Sequence, residues 1–105
     1  MQNAKKEFLN TIENKTVLCA TISYQNCWDR ETPTAEYKLP ISYTKEQYNS
    51  FVESLDFDYD NGFGGQELFG TIWYTDGTWA DRGEYDGSEW WQNHVRPIVP
   101  EELRY

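Results

Sequence analysis

The chain has 105 residues, with 18 Asp or Glu against nine Lys or Arg, a net charge of −9, and five Phe, five Trp and eight Tyr. That length suits a single domain over residues 1–105, with one core able to bury about two-thirds of the surface its unfolded form exposes. No stretch approaches the ~18 consecutive apolar residues of a membrane helix, and the acidic excess argues against direct contact with nucleic-acid phosphates.

Asn3 is a plausible N-cap for a helix over residues 4–13, where Phe8, Leu9 and Ile12 form one apolar stripe. Lys5 and Lys6 run into Glu7 and mixed sequence, which does not read as a secretory leader, so reducing cytoplasm is the expected compartment. Residues 16–24 then read as a strand with Leu18, Ala20, Ile22 and Tyr24 on one face. A polar loop follows over residues 25–33. Ala35, Tyr37, Leu39, Ile41 and Tyr43 alternate with polar residues as a second strand, and Pro40 marks it as an edge or a bulge. Thr44 and Gln47 form a capping box ahead of Tyr48, Phe51, Val52 and Leu55, a helical stripe.

Residues 56–66 read as a loop with turns at Asn61-Gly62 and Gly64-Gly65. Residues 67–75 and 78–85 form a hairpin around Asp76-Gly77. With Thr75 facing Thr78, Ile72, Tyr74 and Trp79 would share one face and Trp73 the other. Trp90-Trp91 and an extended run through Pro97-Ile98-Val99-Pro100 complete the chain, with a last turn at residues 101–104. The α-β-β-α-β-β order predicts an α+β fold, a mainly antiparallel four-stranded sheet with both helices on one face.

Three patterns bear on function. All of the net charge falls between residues 53 and 89, where ten carboxylates accompany Arg82 alone. Asp56, Asp58 and Asp60 on extended backbone would project at roughly 6.6–6.8 Å intervals, close to the spacing of strand phosphates. With Glu67, Glu84, Asp86 and Glu89 they predict a surface able to imitate DNA and to meet a basic protein. Beside them, Trp90 and Trp91 are candidate anchors, because Trp dominates interface energetics. An aromatic-rich sheet face carrying Trp73, Trp90 or Trp91 would mark a partner site.

Asp56, Asp58, Asp60 and Glu67 also approximate the spacing of a calcium loop, the metal-binding alternative. Asn61 stands where such a loop needs glycine, however, and a strand follows Glu67 instead of a helix. Cys19, Cys27 and the lone His94 lack zinc or nucleophile patterns. The chain therefore reads as non-enzymatic, with no cofactor.

The string Leu68-Phe-Gly-Thr-Ile-Trp-Tyr-Thr-Asp-Gly-Thr-Trp79, with Glu84-Tyr-Asp-Gly-Ser-Glu-Trp-Trp91 and Ile98-Val-Pro-Glu-Glu-Leu103, resembles small acidic proteins encoded by bacteriophages and prophages. The match runs from Asp56 to Leu103. The group has no assigned catalytic role, so the resemblance implies a setting: an accessory protein acting inside a bacterial host cell. The expected function is inhibition of a host nucleic-acid-handling or defence protein (anti-restriction or anti-CRISPR) through its basic surface. A structural role, or self-association as a homodimer through the aromatic face, is the other alternative.

Overall fold

The computed structural model describes residues 2–25, 34–59, 65–85 and 88–95. A two-residue strand, β1 (Gln2–Asn3), leads into helix α1 (Ala4–Ile12), whose first free amides are met as expected: Asn3 Oδ1 accepts from Lys6 N–H at 3.0 Å. Strands β2 (Val17–Tyr24) and β3 (Ala35–Leu39) pair antiparallel, and β3 stops where Pro40 removes a donor. Helix α2 (Lys45–Ser54) opens on the Thr44–Gln47 capping box, with both reciprocal hydrogen bonds present. The remaining strands are β4 (Asp58–Tyr59), β5 (Leu68–Tyr74), β6 (Trp79–Tyr85) and β7 (Ser88–His94).

The fold is α+β, as expected, with one refinement. The main antiparallel sheet has five strands in the order β3-β2-β5-β6-β7, while β1 and β4 form a separate small pair. The additional strand comes from Trp90-Trp91 and its flanks, which pair with β6 along its whole length, from Tyr85↔Ser88 to Trp79↔His94. Both helices bury their apolar stripes with one face of the sheet. Phe8 meets Phe51 edge to face at 5.5 Å, among Ile22, Leu55, Tyr59, Leu68 and Ile72. Burial of each large apolar side chain in that layer contributes roughly 1.5–3 kcal/mol.

Two local registers depart from the sequence reading. A bulge between Val17 and Cys19 turns Val17 inward and leaves Leu18 exposed. The β5–β6 turn is longer than expected: Tyr74 N–H donates to Thr78 C=O, so the loop is Thr75-Asp76-Gly77, closed by Gly77 at φ +88°. Trp73 therefore pairs with Trp79, and Ile72 with Ala80. One residue of slip moves every β6 side chain to the opposite face. Trp79 goes outward with Trp73, and Arg82 goes in. The loop after Gln25, the turn at Asn61-Gly62, all of the Gly64-Gly65 turn but Gly65, and the run beyond Val95 lie outside the described residues.

Candidate functional site

The described carboxylates of the stretch 53–89 do not converge on one surface. Arg82 lies inside with a side chain only 2% exposed; Nη2 is 2.7 Å from Glu89 Oε1 and Nη1 is 3.2 Å from Glu7 Oε1. Tyr59 OH accepts from Arg82 Nη2 at 2.8 Å and donates to Glu7. The rings of Trp91 and Tyr59 lie 5.1 and 5.6 Å from the guanidinium carbon. Glu89 is withdrawn from water and accepts two backbone N–H groups, from Glu67 at 2.8 Å and Leu68 at 2.9 Å. A cation in this layer persists because acceptors surround it, the Glu7 and Glu89 carboxylates, the Tyr59 oxygen and the Leu68 carbonyl, since an isolated buried charge would be prohibitively costly. Burial, followed by the bond to Glu7, pushes the Tyr59 phenol far above its ordinary range against the opposing pull of Arg82, so it remains a donor.

Three of the expected contact residues are thereby corrected. Glu67 and Glu89 are 3% exposed, and Trp91 is 9% exposed on the helix side of the sheet, with Nε1 buried and without a partner. Glu89 and Trp91 are interior groups because β7 alternates and both face the α-helical layer. Other carboxylates are dispersed or paired. Glu53 bonds Lys5 at 2.6 Å, and Asp76 sits at the hairpin tip, 3.6 Å from Lys15. Asp56 and Asp58 are brought together, as both accept from Asn3 Nδ2, at 3.1 and 3.0 Å. Glu84 is exposed on β6. Asp60 and Asp86 lie outside the described residues. Among the described residues no three of His, Cys, Asp or Glu gather as metal ligands, so Asp56, Asp58 and Glu67 are not brought together as a calcium loop requires.

The opposite face of the sheet is where large side chains remain in water. Pairing aligns Cys19, Trp73, Trp79 and His94 across β2, β5, β6 and β7. Thr21, Thr71, Asp81 and Gln92 form the next row, and Phe69 and Trp90 lie two residues beyond it on their strands, about 6.6–6.8 Å further along. Phe69, Trp73 and Trp90 are each 41% exposed and Tyr85 is 77% exposed. Gly83 makes room for this layer: a Cβ there would stand 2.8 Å from the Trp90 ring.

Between the aromatic rows runs a polar stripe. Asp81 Oδ1 accepts from Gln92 Nε2 at 3.0 Å and contacts His94 Nε2 at 2.7 Å, and the His94 ring stacks on Trp79 at 5.5 Å. Burial pushes the Asp81 carboxyl up, but the bonds from His94 and Gln92 outweigh that and hold it below the ordinary aspartate value. At the β3 end of this face, Glu36 and Lys38 pair with each other at 3.6 Å. Sequence reading found Trp73 and Trp90 but missed Trp79, Phe69, Tyr85 and the Asp81–His94 pair. Phe69 shares the face of Trp73 by strand alternation alone, and a three-residue turn around Asp-Gly puts Trp79, Asp81 and Tyr85 on that face as well.

No protein-family model, curated protein or solved structure matches the chain.

Proposed function

We propose that the chain is a non-catalytic binding protein and that the open face of β5, β6 and β7 recognises a protein presenting arginine and lysine side chains. The observation that carries this is the set Phe69, Trp73, Trp79, Tyr85 and Trp90, held on one sheet face that no described element covers while a full core exists on the other. Large apolar groups left in water on a rigid strand platform are a recognised mark of an interface. Cations suit this platform, because guanidinium and ammonium groups are attracted to indole and phenol faces. A chain of net charge −9 also steers basic partners toward it.

In the setting implied by the phage and prophage resemblance, the partner is a host nucleic-acid-handling or defence protein, and occupation of its basic surface is the inhibitory act. Phosphate mimicry by residues 53–89 no longer carries the reading, because Glu67 and Glu89 serve the interior.

The test compares the tagged chain with its Trp73→Ser/Trp90→Ser variant in capture from bacterial lysate at low and high salt, circular dichroism verifying the variant's fold. The expected result is a basic protein held by the parent chain, released by salt, and lost to the variant. Equal capture by both chains would remove the open face from the account.

A further inference from the structure

The two edges of the main sheet are built differently. Strand β3 is five residues long, carries Glu36 and Lys38, ends against Pro40, and is flanked by α2. Short length, charge and proline are the devices by which sheets prevent unwanted pairing. Strand β7 lacks the first and the last of these, and its carboxylate, Glu89, is buried against Arg82 and not presented to solvent. It is seven residues long, its ladder to β6 is unbroken, and it contains neither proline nor lysine. Its two ionisable side chains are both committed within the chain, Glu89 to Arg82 and His94 to Asp81. Among the described residues no strand pairs with its far side.

We infer that β7 is a pairing edge whose occupant is β7 of a second copy, joined antiparallel about a two-fold axis. The strand is self-complementary in the one register that overlaps all seven residues, centred on Trp91. Trp91 then faces its own counterpart, Glu89 faces Asn93, Trp90 faces Gln92 and Ser88 faces His94. No like charges oppose one another, which is what an isologous contact in a chain of net charge −9 requires. A two-fold axis perpendicular to the sheet keeps both open faces on the same side, so pairing would make one continuous ten-strand platform. This goes beyond the proposed recognition role and does not depend on it.

The experiment is sedimentation velocity on the full chain over a range of concentrations, with backbone hydrogen exchange of β7 at the two ends of that range. The expected result is a monomer–dimer equilibrium in which β7 amides gain protection as the dimer forms. The Asn93→Glu variant sets a new carboxylate against Glu89 twice per dimer, so association should weaken by at least about tenfold. Asn93 is exposed, and a carboxylate there can still accept the bond that Asn93 Oδ1 takes from Tyr74 OH, so this variant keeps its fold. A monomer at all concentrations overturns the inference, whether its β7 amides are unprotected or are protected independently of concentration by another part of the chain. Dimerisation unaffected by Asn93→Glu overturns it as well.

Discussion

Arg82 and Glu89 sit on adjacent strands with Nη2 and Oε1 2.7 Å apart, and both side chains are withdrawn from solvent. Glu89 also receives the amides that start β5, so one carboxylate ties β7 to both of its inner neighbours. Removing it leaves a guanidinium in the core with Glu7 as its remaining counter-charge, and two amides without their acceptor. Glu89→Ala is expected to destabilise the fold by about 3–5 kcal/mol. Glu84→Ala, a solvent-facing carboxylate on β6, should cost about 1 kcal/mol or less. Urea unfolding of the two variants checks the contrast; equal losses would mean that Glu89 is not structural.

Trp90 and Trp91 are neighbours with opposite duties. Trp91→Ala should cost about 3–5 kcal/mol, the range for deleting a buried aromatic. Trp73→Ala on the open face should cost about 1 kcal/mol and leave the unfolding slope unchanged. Iodide should likewise quench the exposed indoles in preference to Trp91.

Glycine at position 70 is required by its surroundings. With φ at +153° and a Cβ position 2.3 Å from the Thr21 carbonyl oxygen, Gly70→Ala must displace β2 or β5. A loss of at least about 2 kcal/mol is expected. Gly77 has a positive φ but open space, so Gly77→Ala should cost only the left-handed penalty, about 1–2 kcal/mol. Thermal or urea denaturation ranks them.

Stability should fall at both ends of the pH scale, for opposite reasons. Asp76 is held below its ordinary value chiefly by the Thr78 hydroxyl, then by the Thr78 amide and Lys15; Asp81 is held low by His94 and Gln92 despite its burial. Lowered carboxyls contribute stability that is present above the unfolded value of about 3.9 and is lost as pH falls through the folded value. Tyr48, Tyr59 and Tyr74 are raised, chiefly by burial. Their contribution is complete below the unfolded value of about 10 and declines as pH rises past it. Denaturant midpoints across pH, with Tyr59→Phe flattening the alkaline side, provide the check.

Much of the architecture was legible because local rules and tertiary packing agree. Asn3, the Thr44–Gln47 box, the stripe Tyr48-Phe51-Val52-Leu55 and the edge position of the strand before Pro40 all behave as their chemistry dictates, although that strand ends at Leu39 and does not run on through Ile41 and Tyr43 as their alternation suggests. The candidate site was harder because it depends on register. An Asp-Gly pair permits two- and three-residue turns, and the choice decides whether Arg82 or Asp81 enters the core. Charge in sequence also hid its own compensation: Glu89 and Glu7 are 82 residues apart in the chain yet meet at one guanidinium. Of the three alternating carboxylates Asp56, Asp58 and Asp60, the first two do project together and share Asn3, and the third lies outside the described residues.

The recognition surface itself is tested most directly by the indole N–H resonances of the nitrogen-15-labelled chain, titrated with an oligo-arginine peptide and assigned by single Trp→Phe substitutions. The expected result is movement of the Trp73, Trp79 and Trp90 signals, reversed by salt, while Trp91 holds still. Changes confined to the Asp56–Asp58 end, with those three indoles unmoved, would contradict the open face as the binding site.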